Sequence, residues 1–180
     1  RLLLALCLSV GSFALAHGQG MRPPPLRSPE IHADRSVTFR LSAPTAQKVE
    51  LSAQFLSANR PMRKGDDGVW SITITDIEPN LYPYNFVVDG LGVADPANQE
   101  LFPNERFKAS LVDVPGETPA LHAMQDVPRG EMVYAWYESK VLGTTRPLVI
   151  YTPPGYRDGS RRYPVFYLVS GTTDTEETWF

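Results

Sequence analysis

Residues 69–90 read VWSITITDIEPNLYPYNFVVDG, two runs of alternating side chains parted by Glu78-Pro79-Asn80 and closed by Asp89-Gly90. Trp70, Ile72 and Ile74 alternate with Ser71, Thr73 and Thr75, and Tyr82, Tyr84, Phe86 and Val88 form the second series. Successive side chains on a strand point to opposite faces, so each run has one apolar face and one wetter face. Pro, Asn, Asp and Gly between such runs are the residues that turns require. Pro83 has no N–H for a ladder, which predicts that its strand begins at an edge or carries a bulge.

The same period extends upstream. Val37, Phe39 and Leu41 alternate with Thr38 and Arg40, and Val49, Leu51, Ala53 and Phe55 with Lys48, Glu50, Ser52 and Gln54. Turns fall at Ala43-Pro44-Thr45 and over 64–68, where Lys, Gly, Asp, Asp and Gly follow one another. Short strands punctuated at this spacing make a β-sandwich, placed here at 30–112. The aromatics Trp70, Tyr82, Tyr84 and Phe86 could suggest a sugar-stacking face. Their spacing aligns them with Ile72 and other apolar positions, so core packing is the expected role.

Residues 113–130 carry three prolines and little periodicity, and read as a linker. From Glu131 a second pattern opens. Val133, Ala135 and Tyr137 alternate with Tyr134, Trp136 and Glu138, a turn follows at Gly143-Thr144-Thr145, and Pro147–Tyr151 returns. Trp136 and Trp179 read as packing residues. Pro164-Val165-Phe166-Tyr167-Leu168-Val169 is apolar without alternation, as expected of a strand buried on both faces in an α/β sheet. Ser170-Gly171-Thr172-Thr173 then stands at the carboxyl end of that strand, where open sheets of this kind bind ligands. Three strands with no covering helix cannot close a two-sided core, so this second domain is expected to be only begun.

Composition agrees with a globular chain. Of 180 residues, 42% are hydrophobic and 21% charged, with a formal net charge of −3. That balance supplies no basic field for a phosphate backbone, and nucleic acid is not expected as a partner. Residues 1–16, RLLLALCLSVGSFALA, read as the tail of a secretory signal, with Ala14-Leu15-Ala16 as its small-x-small cleavage site. The reading is therefore a secreted or periplasmic bacterial protein without membrane insertion after signal removal. Cys7 is the only cysteine and would leave with the signal, which removes disulfides and thiolate chemistry from the mature chain. Residues 17–29 form a Pro/Gly-rich leader, and the sequence reads as a fragment truncated at both ends.

No G-x-S-x-G elbow occurs, and Ser170 lacks the flanking glycines and the downstream His that the hydrolase order Ser…Asp/Glu…His demands. His17, His32 and His122 stand alone and read as ordinary surface residues, so no metal and no cofactor are expected.

The stretch Arg146-Pro147-Leu148-Val149-Ile150-Tyr151-Thr152-Pro153-Pro154-Gly155-Tyr156, followed by Tyr163-Pro164-Val165-Phe166-Tyr167-Leu168-Val169-Ser170-Gly171, resembles the opening of the family of enterochelin, feruloyl and acetylxylan esterases. Asp174-Thr175-Glu176-Glu177-Thr178-Trp179 is similar to the acidic stretch ending in Trp that follows the Gly loop there. Upstream, Val37–Pro44, Asp67–Ser71, Tyr82–Gly90 and Asp95-Pro96-Ala97-Asn98 resemble the early-set immunoglobulin-like module joined to these esterases and to glycogen-branching enzymes. The expected fold is mainly β, an immunoglobulin-like sandwich followed at 131–180 by the first strands of an α/β-hydrolase domain.

The resemblance implies a secreted serine esterase acting on carbohydrate-linked or related small esters, with its triad beyond residue 180. It also implies that backbone N–H groups of Gly171, Thr172 and Thr173 form one arm of the oxyanion hole. The family usually has His-Gly where this sequence has Ser170-Gly171. The reading preferred for Ser170 is a strand-end hydroxyl that satisfies nearby backbone. For Thr172 and Thr173 a plain surface turn stands beside the oxyanion role. Two alternatives remain: a non-catalytic glycan-binding sandwich, and the N-terminal part of a glycogen-branching-type enzyme.

Overall fold

A computed structural model describes residues 25–106 and 108–179. The signal-type segment, His17 and most of the leader lie outside the described residues.

The alternating runs form strands that divide between two sheets. The first contains β1 (Glu30–Ile31), β2 (Val37–Ser42), β6 (Val69–Ile74) and β5 (Arg63–Lys64), in that spatial order. The second runs β4 (Arg60–Pro61), β3 (Val49–Ala53), β7 (Asn80–Val88), β10 (Ala109–Val114) and β9 (Leu101–Phe102), with β8 (Leu91–Val93) also on β7. All the pairs are antiparallel. Asp89 and Gly90, both at positive φ, form the two-residue turn that returns β7 into β8. Gly68, at φ +78°, closes the turn between β5 and β6.

The inner faces meet in one core. Val37, Phe39, Leu41 and Trp70 from the first sheet pack with Val49, Leu51, Tyr84, Phe86, Val112 and Val114 from the second. Phe39 meets Tyr84 edge-on at 4.8 Å between ring centroids, across the two sheets. Trp70 turns inward and its indole N–H donates to the Ala43 carbonyl at 2.9 Å, so it is a core residue. Full burial of each large side chain contributes roughly 1.5–3 kcal/mol.

Pro83 departs from expectation. Its strand is interior, between β3 and β10, with no break in the register from Asn80 to Tyr84. Its carbonyl accepts from Gln54 N, one residue past the end of β3. The proline nitrogen faces that same side, where the β3 pairing has already ended at Ala53, so the missing N–H falls at the frayed end of that ladder.

A polar cluster is built into the sandwich. Asp95, 2% exposed, accepts hydrogen bonds from the Ser28 hydroxyl, from Tyr84 OH at 2.8 Å and from Ala97 N at 2.9 Å. Its own N–H donates to Ser110 Oγ, and Asn98 Nδ2 donates to Tyr84 OH and to the Leu111 carbonyl. Among the described residues, every buried side-chain nitrogen or oxygen has a partner. Burial first, then the neighbouring Asp95 carboxylate, pushes the Tyr84 phenol above its ordinary range.

Beyond Val114 no strand forms until the hairpin β11 (Glu131–Ser139) and β12 (Thr144–Thr152), paired from Glu131↔Thr152 to Ser139↔Thr144. Both faces of this hairpin carry apolar side chains. Tyr134 and Trp136 lie on one face, Val133 and Ala135 on the other, and Trp136 is exposed rather than packed, as is Trp179. The run 164–169 is not a strand here. Phe166, Tyr167 and Val169 are each more than four-fifths exposed. A strand needs backbone partners, and β11 and β12 are paired with each other alone. Among the described residues nothing extends their sheet to receive 164–169.

Candidate functional site

The chain after residue 169 turns back on itself. The Ser170 hydroxyl donates to the Thr175 carbonyl at 2.9 Å, and Asp174 N donates to the Gly171 carbonyl at 3.3 Å. Thr173, third in the turn 171–174, has φ +73°. That position of a type II turn requires positive φ and favours Gly or Asn, so a threonine there is held by its surroundings. The holding contacts come from the sandwich.

Between β9 and β10, Asn104 is 2% exposed and forms an isolated antiparallel bridge with Asp174. Asn104 Nδ2 donates to Asp174 Oδ1 at 3.0 Å and to Thr173 Oγ1 at 3.3 Å. Glu105 N donates to the Thr173 carbonyl at 2.8 Å, and Thr178 Oγ1 to the Pro103 carbonyl at 2.9 Å. Asn104 is fixed in turn by its own loop. Arg106 N donates to its Oδ1 at 2.9 Å, which sets the direction of the amide, and Lys108 Nζ donates to its carbonyl at 2.8 Å.

The three expected oxyanion donors stand differently in this turn. Gly171 N–H points at Asp174 Oδ2, 3.1 Å away, and is engaged. The N–H groups of Thr172 and Thr173 form no hydrogen bond among the described residues. Gly171 and Thr172 are exposed, and Thr173 is half-buried. Asn104 and Asp174, which hold the turn, are residues that sequence reasoning did not single out for this role. No motif marks Asn104, because its partners are 69 and 70 residues away.

Beside this bracket lies a cleft of about 550 Å³ between the sandwich and the later segment. Leu81, Pro83 and Tyr134 supply apolar walls, and Gln54, Glu100 and Glu177 bring polar groups. The isolated histidines take local partners, His32 with Thr38 Oγ1 and His122 with Asp113. Among the described residues no three His, Cys, Asp or Glu side chains group to hold a metal, and no helix is long and apolar enough to cross a membrane.

The known proteins that match cover different shares of the chain. Residues 27–103 match the family described as carbohydrate-binding module 48, the isoamylase N-terminal domain. An endo-1,4-beta-xylanase/feruloyl esterase from Xylanibacter ruminicola is 26% identical over 166 residues, covering 88% of this chain and 23% of that protein. The enterobactin esterase of Shigella flexneri is 16% identical with a TM-score of 0.48, over 63% of this chain and 39% of that one. PulA from Klebsiella pneumoniae is 28% identical with a TM-score of 0.38, over 49% of this chain and 10% of that one. The chain thus spans 23% of the length of that xylanase/feruloyl esterase. The resemblance drawn from the two quoted regions holds, with a carbohydrate-binding module 48 match on the sandwich and a feruloyl-esterase-bearing relative aligned along most of the chain.

Proposed function

We propose that these residues belong to an exported carboxylic-ester hydrolase of the feruloyl, acetylxylan or enterochelin esterase type, acting on carbohydrate-linked or related small esters. The observation that carries this reading is the extent of the alignment with the xylanase/feruloyl esterase. An overlap of 88% of the chain cannot be contained in residues 1–130, so it includes part of the segment that holds the Pro-Pro-Gly-Tyr and Gly loops.

In this reading a serine outside residues 1–180 attacks the ester carbonyl while a histidine, oriented by an acidic group, removes its proton. The carbonyl electron pair moves onto oxygen, and the resulting oxyanion collapses to expel the alcohol, which takes the proton from histidine. Water then cleaves the acyl-enzyme by the same steps. Backbone donors aimed at the oxyanion each stabilise the transition state by about 2.7–4 kcal/mol. Gly171, Thr172 and Thr173 remain the candidates. Thr172 and Thr173 offer N–H groups at once, whereas Gly171 must first leave Asp174.

The test is hydrolysis of methyl ferulate, p-nitrophenyl acetate and acetylated xylan by the natural full-length protein. Turnover that a serine-directed phosphonate abolishes is expected. A folded protein that cleaves none of these esters overturns the reading.

A second reading, a glycan-binding module, is favoured by the family matched over residues 27–103. It predicts retarded migration in gels containing xylan or amylose. Unretarded migration of the folded protein in both counts against it.

A further inference from the structure

The contacts of Asn104 tie a loop of the sandwich to the turn that carries the oxyanion candidates. Four hydrogen bonds cross between Pro103–Glu105 and Thr173–Thr178, and Asn104 makes two of them from a position almost closed to solvent. A carboxamide suits this place. Its oxygen is taken by Arg106 N, and its nitrogen carries two protons, one for the Asp174 carboxylate and one for the Thr173 hydroxyl. Asp174 in turn holds Gly171 N–H with its other oxygen. The chain of contacts therefore runs from a buried amide of the sandwich, through one carboxylate, to the backbone of the candidate oxyanion loop.

We propose that Asn104 is a positioning residue for ester hydrolysis, its side-chain amide setting the conformation of the 171–174 turn from the sandwich side. This rests on the esterase reading above. It gives the sandwich a part in the reaction other than binding sugar, since displacement of a reacting group by about 1 Å is enough to cost on the order of 100-fold in rate.

Asn104→Asp preserves shape, keeps the acceptor for Arg106 N and sets a carboxylate against Asp174. In the natural full-length protein we expect kcat to fall roughly 10- to 100-fold with KM unchanged. Amide exchange at Glu105, whose N–H donates to Thr173, should become faster. The paired swap Asn104→Asp with Asp174→Asn restores a donor facing an acceptor, and should recover both readings. Should Asn104→Asp fail to fold, Asp174→Ala removes the same contact from a half-buried side chain outside the sandwich core, with the same expected acceleration at Glu105.

Unchanged kcat, or unchanged exchange at Glu105, overturns the proposal. A wild-type protein that cleaves no ester defeats the esterase reading itself. Exchange at Glu105 then decides separately whether Asn104 holds the turn.

Discussion

Replacing Tyr84 by Phe removes one oxygen from the centre of the sandwich and leaves its packing in place. The ring is 1% exposed and lies 4.8 Å from Phe39 and 6.1 Å from Phe86, centroid to centroid, contacts that a phenyl group retains. The lost hydroxyl donates to Asp95 Oδ2 at 2.8 Å and accepts from Asn98 Nδ2 at 3.1 Å. Neither partner is orphaned, because Asp95 keeps Ser28 and Ala97, and Asn98 keeps the Leu111 carbonyl. The cost is therefore that of a hydrogen bond to a charged group, about 2 kcal/mol, not the larger penalty of a stranded buried carboxylate. For a domain of this size that lowers the melting temperature by roughly 8–16 °C. The assay is thermal unfolding followed by circular dichroism, with Tyr82→Phe as the control. The Tyr82 hydroxyl donates to the Glu78 carbonyl at an exposed site, so its loss should stay within about 0.5 kcal/mol. A Tyr84→Phe midpoint that matches the control refutes the reasoning, because the buried hydroxyl would then contribute no more than a surface one.

Alkaline pH probes the same group. The Tyr84 phenol is raised in the folded state, so its contribution is fully present below the unfolded value near 10 and is lost above it, by up to about 1.4 kcal/mol per pH unit; urea unfolding at rising pH should show a steeper loss for wild type than for Tyr84→Phe. Trp70→Ala should destabilise by about 3–5 kcal/mol through the emptied core volume, together with the lost bond to Ala43. Melting and polysaccharide affinity measured on one sample separate this from removal of a sugar platform, which would leave the fold intact. Gly68→Ala should cost more than about 1 kcal/mol, since φ is +78° and the new Cβ would stand 2.7 Å from Pro44 Cβ; urea midpoints check it. Gly130→Ala drives a Cβ into the Thr152 carbonyl, so the open end of the β11–β12 hairpin should exchange its amides faster while the end near Gly143 does not.

The period of two made the sandwich legible because its four main strands each bury one face. Val37, Phe39, Leu41, Trp70, Tyr84 and Phe86 all point where alternation places them. β10 was harder to see. Ser110 is wholly buried within it, held by Asp95 N, and a serine at a core position breaks the apolar pattern that would reveal the strand. Pro83 shows a related limit: a missing N–H asks for an edge or a bulge, whereas the register places this proline opposite the point where β3 ends. The run 164–169 is apolar as a buried strand would be, but composition states a requirement for partners and does not provide them. Asn104 was illegible because a single loop asparagine bears no mark of a partner some 70 residues away. Only the folded topology brings the two together.

The aromatic side chains of the sandwich bear on what that domain does. A sugar platform needs a ring face open to solvent, yet Trp70, Tyr84 and Phe86 are all below one-tenth exposed and Trp70 has its N–H committed to the backbone. These rings stiffen the layer between the sheets. They stand on strands whose neighbours lead directly to the β9–β10 loop, since Tyr84 pairs with Ser110 and Ala109 with Phe102. Pro103–Glu105 follow from β9 at the edge of that sheet and hold the threonine turn, with Thr173 at φ +73°, through the Glu105 N–H to the Thr173 carbonyl. Carbohydrate recognition, if the sandwich performs it, has to use a surface away from these rings. Support of the 171–174 turn uses the core as it is built, and the two roles separate experimentally because only the second depends on Asn104.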